Sequence, residues 1–200
     1  MKPFPRRFPA LTAALAASCT AASLVPAETL EYDRSRVAAG EVWRLITGQL
    51  VHWTPRMAAL DTGMLLGLAI WLEVRGDRRL VALTLALGGG LTALAVHALS
   101  PDLIAYRGSS GLASALFVLA AVRIVSATDP VTRNFAIAAV ALFLAKAGFE
   151  FLAGQTLFAG PLPPGVHVVP LVHLLAGTGG LVGVGRLTRE PSGLPSCPIS

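Results

Sequence analysis

Apolar residues in this chain gather into long runs, each close to the roughly 20 residues that a helix needs to cross a bilayer. The runs predict about six spans, near 10–26, 55–73, 80–98, 108–125, 134–152 and 168–186. No internal repeat stands out. A polar stretch from Ala27 to Thr54 separates the first two runs as an outer loop, and the Pro/Ser-rich end at 187–200 reads as a disordered tail. The expected organisation is a cytoplasmic N-terminus at 1–9, one transmembrane domain at 10–186 and a cytoplasmic tail.

Composition strengthens that picture. Of 200 residues, 54% are hydrophobic and only 14% charged, with a mean hydropathy of +0.67, too apolar for a soluble domain. The fold class expected is therefore an all-α membrane protein. The net charge of +5 does not indicate a nucleic-acid partner, because the basic residues lie between apolar runs and form no patch with aromatics. Cys19 and Cys197 sit near opposite ends and outline neither a metal site nor a disulfide framework.

Basic residues also orient the chain. With the N-terminus inside, Lys2, Arg6, Arg7, Arg75, Arg78, Arg79, Arg123, Arg133, Arg186 and Arg189 fall on the cytoplasmic side. Arg34, Arg36, Arg44, Arg56 and Arg107 fall outside, offset by Glu28, Glu31, Asp33, Glu41 and Asp102. The roughly twofold excess places both termini in the cytoplasm. The basic start, alanine-rich first run and small residues near Ala27 also describe a cleavable signal peptide. The remaining spans need this one for a consistent topology, so it is read as a span.

The fourth span is short. Ser110 to Arg123 covers about 14 residues, roughly 21 Å of helix, against a hydrocarbon core near 30 Å. The preceding 101–108 segment is therefore expected to dip below the outer surface, with Ser110 submerged at a helix N-terminus.

Two strings carry candidate chemistry: Tyr106-Arg107-Gly108-Ser109-Ser110-Gly111 and His173-Leu174-Leu175-Ala176-Gly177. A serine hydroxyl needs a neighbouring base to become a nucleophile, and a histidine on another helix supplies one. Gly108 permits a tight turn, Gly111 permits close helix approach, and the helix N-terminus offers free N–H groups to a developing oxyanion. His173 enters its span from the same outer side. Gly177 follows it at i,i+4, and the neighbouring small residues suit contact with Gly111 and Ala115. Taken singly, each string is also compatible with small-residue packing or a structural histidine. Lys146 and Glu150, at i,i+4, are expected to pair within the bilayer. His97 and His167 read as interfacial histidines, and Arg107 as a solvated loop arginine. The histidine spacing excludes a zinc-protease motif, so no metal and no cofactor is expected.

Across residues 40–186 the chain resembles the rhomboid intramembrane serine proteases, and within them the rhombosortase branch. The resemblance rests on Gly40-Glu41-Val42-Trp43-Arg44 through His52, on Tyr106-x-Gly108-x-Ser110-Gly111, on Lys146-Ala147-Gly148-Phe149-Glu150, and on His173 with Gly177. It implies a rhomboid-like bundle of about six transmembrane helices. Ser110 would be the nucleophile and His173 the general base, with no third acid member. His52, Gly108 and Asp61 would shape the oxyanion side, and Lys146, Glu150, Gly111 and Gly177 would support the site. The implied substrate is a membrane-anchored secreted protein with a C-terminal Gly-Gly stretch, an apolar helix and a basic tail. The implied location is a bacterial inner membrane, with the site toward the periplasm.

Three positions depart from the family pattern. Met57 and Asp61 stand where the family usually has a histidine and an asparagine, and Ser114 stands where the branch commonly has a histidine. Methionine donates no hydrogen bond, and an ionised aspartate repels an oxyanion. Two other readings therefore stay open: a rhomboid-like pseudoprotease that binds membrane helices without cutting them, and a channel or transporter subunit lined by Lys146, Glu150 and Asp61. Nothing in the chain sets an oligomeric state.

Overall fold

The computed structural model describes residues 8–75, 78–125, 129–158, 160, 162–163 and 166–187, the last five as backbone only. The predicted cytoplasmic start before Phe8 and the predicted tail beyond Leu187 lie outside the described residues.

Within them the chain is helical. The long helices are α1 (Ala10–Ser23), α4 (Pro55–Glu73), α5 (Arg78–His97), α6 (Ser110–Val125), α7 (Pro130–Ala153) and α8 (Pro170–Leu187), one for each apolar run. Two short helices, α2 (Arg34–Ala38) and α3 (Arg44–Thr47), lie in the polar stretch. A two-residue antiparallel ladder pairs β1 (Tyr32–Asp33) with β2 (Ala105–Tyr106). Helices α5 and α7 are long and apolar enough to cross a membrane, whereas α1 and α6 are apolar but shorter.

Local chemistry sets several ends. Thr54 caps α4 by accepting from the Met57 amide, with Pro55 in the first turn. Asp129 does the same for α7 with Thr132 and Pro130, which starts that helix four residues before the apolar run. Both pairs combine a side-chain acceptor with a proline whose missing N–H costs nothing at a helix start.

Helix α6 is the centre of the bundle, in contact with α4, α5, α7 and α8. Its Leu112, Leu116 and Leu119 join Leu65, Ala69 and Leu72 of α4 and Leu80 and Val81 of α5 in the main core. Helix α7 is peripheral: only Ala136, Ala147 and Glu150 are buried, and Phe135, Leu142, Phe151 and Leu152 point outward. An apolar outer face on a helix of this length is what lipid contact requires. At the opposite end of the bundle the buried Glu73 carboxylate accepts from the Leu11 and Thr12 amides and the Thr12 hydroxyl. It thereby caps α1 and fastens it to the end of α4.

The polar stretch is an ordered cap. Arg44, 2% exposed, donates to Glu41 Oε2 at 2.6 Å and to the Glu28 and Glu31 carbonyls. Arg34 donates to the carbonyls of Val96, His97, Ser100 and Leu103, clamping the α5–α6 connection. Arg107 corrects the solvated-arginine expectation. Its guanidinium meets Glu31 at 2.7 Å and Glu28 at 2.9 Å and lies 4.3 Å from the centre of the Trp53 ring. The segment leading into Ser110 is thus held from the cap side by ion pairs, a strand pair and a buried arginine.

Candidate active site

Ser110 begins α6 after a turn that only glycine makes without strain: Gly108 has φ +148°. Tyr106 is buried and donates from its hydroxyl to the Gly108 carbonyl at 3.0 Å. Burial pushes the Tyr106 phenol up, so the proton it donates stays in place.

The two adjacent serines part company. Ser109 is fully buried, its Oγ 3.1 Å from His52 Nε2 and its amide donating to the same nitrogen at 3.3 Å. Ser110 instead lines a cavity of about 300 Å³ that His173 also lines. Asp61 and Met57 of α4 form one wall, Lys146 and Glu150 of α7 another, and Phe158 and His167 come from the α7–α8 connection. The cavity is the place where the candidate nucleophile and base share one space.

His173 does not hydrogen-bond Ser110. Its Nδ1 lies 3.2 Å from Ser114 Oγ, one turn further along α6, and its Nε2 lies 3.4 Å from Glu150 Oε2. Ser114 also donates to the Ser110 carbonyl at 2.8 Å. Lys146 pairs with Glu150 at 2.6 Å, and the Leu157 amide donates to the other carboxylate oxygen at 3.1 Å.

His52 lies behind the turn. It borders a separate crevice between α1 and α4, outside the cavity, and holds Ser109. Because Nε2 accepts the Ser109 N–H, the neutral ring has no proton there to offer an oxyanion. Asp61 Oδ2 is 3.9 Å from that nitrogen. Burial holds the His52 imidazole down to about 4, against 6.5 for a free one. The consequence is a pH dependence. As pH falls from about 6.5 toward 4, the unfolded chain takes up a proton that folded His52 refuses. Stability should fall by about 3 kcal/mol across that window, level off below it, and be unaffected by this group above it. Thermal unfolding in detergent of wild type and His52→Gln should show the slope in the first and a flatter profile in the second.

Helix spacing around the site is set by small residues. A Cβ at Gly111 would strike Thr92 and Val172, and one at Gly88 would come within 2.6 Å of Ala115 Cβ. Gly177 faces Val118 with modest clearance, while Gly180 packs directly on the α6 backbone at Ala115 and Leu119. The sequence marks Tyr106 as the start of the serine motif and Ser114 as a departure from the family pattern, but not the contacts they make, and it gives no signal that Ser109 would pair with His52.

The rhomboid domain family model matches residues 39–185. This chain belongs to the rhomboid family. The match takes in the later part of the ordered cap from residue 39, the Ser110 turn and His173, so Ser110, His173 and the helices that line their cavity lie within the shared domain. Rhomboid domains belong to membrane proteins and are generally those of serine proteases acting on membrane-protein substrates, with pseudoproteases as the non-cutting form. No curated protein and no solved structure matches the chain.

Proposed function

We propose that this rhomboid protein is an intramembrane serine endopeptidase in which Ser110 is the nucleophile and His173 the general base. The observation that carries the reading is the division between neighbours: Ser109 is buried against His52, while Ser110 opens into the cavity that His173 lines. A substrate segment enters between α4 and α7 and unwinds beside Ser110. The Ser110 oxygen attacks the carbonyl carbon as its proton passes to His173. The carbonyl oxygen becomes an oxyanion facing the first amides of α6, which have no acceptor within the helix. His173 then hands the proton to the leaving amine, and water admitted to the cavity hydrolyses the acyl-enzyme.

The finer proposal is the rhombosortase-like branch, supported by the order of the 40–52 stretch, the serine motif, the Lys146/Glu150 pair and His173 with Gly177. On that reading the substrate is the C-terminal Gly-Gly-type anchor of a secreted protein. The enzyme is then a multi-pass inner-membrane protein, both termini cytoplasmic and the cavity opening to the periplasm.

The pseudoprotease reading is favoured by specific features. Met57 and Asp61 face the cavity where hydrogen-bond donors would serve an oxyanion, and the resting His173 is bonded away from Ser110. One experiment separates the two. A fluorophosphonate probe should label wild type at Ser110, located by mass spectrometry, and leave Ser110→Ala unlabelled. Unchanged labelling of Ser110→Ala removes Ser110 as the nucleophile, and an unlabelled wild type supports the pseudoprotease.

A further inference from the structure

We propose that the crevice between α1 and α4 is a glycerolipid-binding site, with one acyl chain lying between the helices and its ester carbonyl accepting from His52 Nδ1. The crevice has a volume of about 600 Å³, against about 300 Å³ for the cavity beside Ser110. Cys19 and Ala22 of α1 form one wall, Ala59, Gly63 and Leu66 of α4 the other, and residues 50–55 border the cap end. No Asp, Glu, Lys or Arg lines it. Small side chains make the space: a Cβ at Gly63 would meet nothing within 4 Å. An empty gap of this size forfeits the dispersion contacts of its whole lining, so hydrocarbon from the bilayer fills it.

One buried polar group marks the occupant as more than bare hydrocarbon. The His52 side chain is only 5% exposed and lines the crevice. Its Nε2 accepts the Ser109 amide at 3.3 Å, so the neutral ring carries its proton on Nδ1. That N–H has no acceptor among the described residues, and a buried donor without one is costly. A ligand that suits the site therefore has a long apolar body, a carbonyl-type acceptor at one end and no charge against the walls. Depth agrees. Helix α4 has 19 residues, about 28 Å at 1.5 Å per residue, close to the roughly 30 Å hydrocarbon core. His52 stands just before its first residue, at the boundary where glycerol esters meet the hydrocarbon.

A transmembrane helix, from a second copy or from a substrate, is the competing occupant, since small residues also suit helix contact. Size decides against it. One helical turn with its side chains, about 10 Å across and 5.4 Å long, fills roughly 400 Å³. The crevice holds less than two such turns, while a span has about five. An extended acyl chain is far thinner and lies along the α1–α4 seam. A lipid seated here reaches the serine turn through one side chain, because His52 holds Ser109 on its other nitrogen. Binding itself is independent of whether Ser110 reacts.

Photolabelling tests the site: full-length protein in detergent meets phosphatidylcholine that carries a diazirine midway along one acyl chain, and mass spectrometry locates the labelled peptides. Labels should fall on α1 and α4 at the crevice and saturate. Unlabelled diester phosphatidylcholine should displace them about fivefold better than its diether analogue, which lacks the carbonyls. Gly63→Leu, which fills the crevice, should cut this labelling by at least about fivefold. Gly67→Leu, one turn on and outside the crevice, should leave it near the wild-type level. Non-saturating label spread equally over the outward face of α7 would overturn the proposal, and so would equal displacement by diester and diether lipid. Disulfide-linked dimers that appear only with Gly63→Cys, without lipid label at the crevice, would assign it to a second copy instead. The comparison of diester with diether lipid uses unaltered protein, so it decides the matter even where a variant fails to fold.

Discussion

Cleavage of a transmembrane reporter in proteoliposomes is expected to fall by about 10⁴-fold or more in Ser110→Ala and in His173→Ala, because residues acting as one unit fail together. Ser109→Ala should stay within about tenfold of wild type. The neighbouring serines are chemically identical, so only their surroundings separate them. Ser109 spends its hydroxyl on a neutral, buried His52 and never meets the cavity, whereas Ser110 borders it beside His173. What Ser109→Ala loses is one hydrogen bond behind the turn, worth about 1 kcal/mol net. The amide of residue 109 still donates to His52. Equal losses in Ser109→Ala and Ser110→Ala would mean the turn as a whole matters and neither hydroxyl is the nucleophile.

The same contrast shows how far the linear chain can be read. Hydropathy alone marks the long helices to within a few residues, since a helix buried in lipid or bundle needs apolar side chains on every face. Where the estimate slipped, at the start of α7, the reason is local: Asp129-Pro130 is polar by composition but a helix start by hydrogen bonding. The serine motif points to Ser110 because a glycine must precede the turn and a small residue must follow it. The cap is different. Arg34, Arg44 and Arg107 read as outward charges, and each is turned inward by carbonyls or carboxylates that lie elsewhere in the chain. Arg107, for instance, meets Glu31 and Glu28 across 76 and 79 positions of chain. No spacing rule encodes such a partner, because the fold brings it there. The Ser114–His173–Glu150 arrangement is hidden for the same reason, its members sitting on α6, α8 and α7.

Gly180→Ala is expected to cost about 3 kcal/mol of stability, the upper part of the usual range for overpacking a tight core. The added methyl would overlap the Ala115 carbonyl oxygen and lie 2.9 Å from the Leu119 nitrogen, both backbone atoms of α6. Side chains can rotate away from a methyl; a hydrogen-bonded helix cannot, so α6 and α8 must separate. Gly177→Ala tests the distinction one turn earlier. There the nearest atom is Val118 Cγ2 at 3.3 Å, a side-chain end that can yield, and the cost should stay below about 1 kcal/mol. Gly67→Ala on α4 meets nothing within 4 Å and should gain about 0.5–1 kcal/mol, since alanine loses less backbone freedom in a helix. Thermal unfolding of the three variants in one detergent should rank them in that order. The functional consequence follows from where α8 sits: it carries His173 two turns before Gly180, on the face that must reach α6. A helix pushed outward at Gly180 lifts the imidazole from the Ser110 turn, so Gly180→Ala should lose phosphonate labelling even at temperatures where it remains folded. If it labels at the wild-type rate while destabilised, the α6–α8 spacing does not control the distance between the two reacting groups.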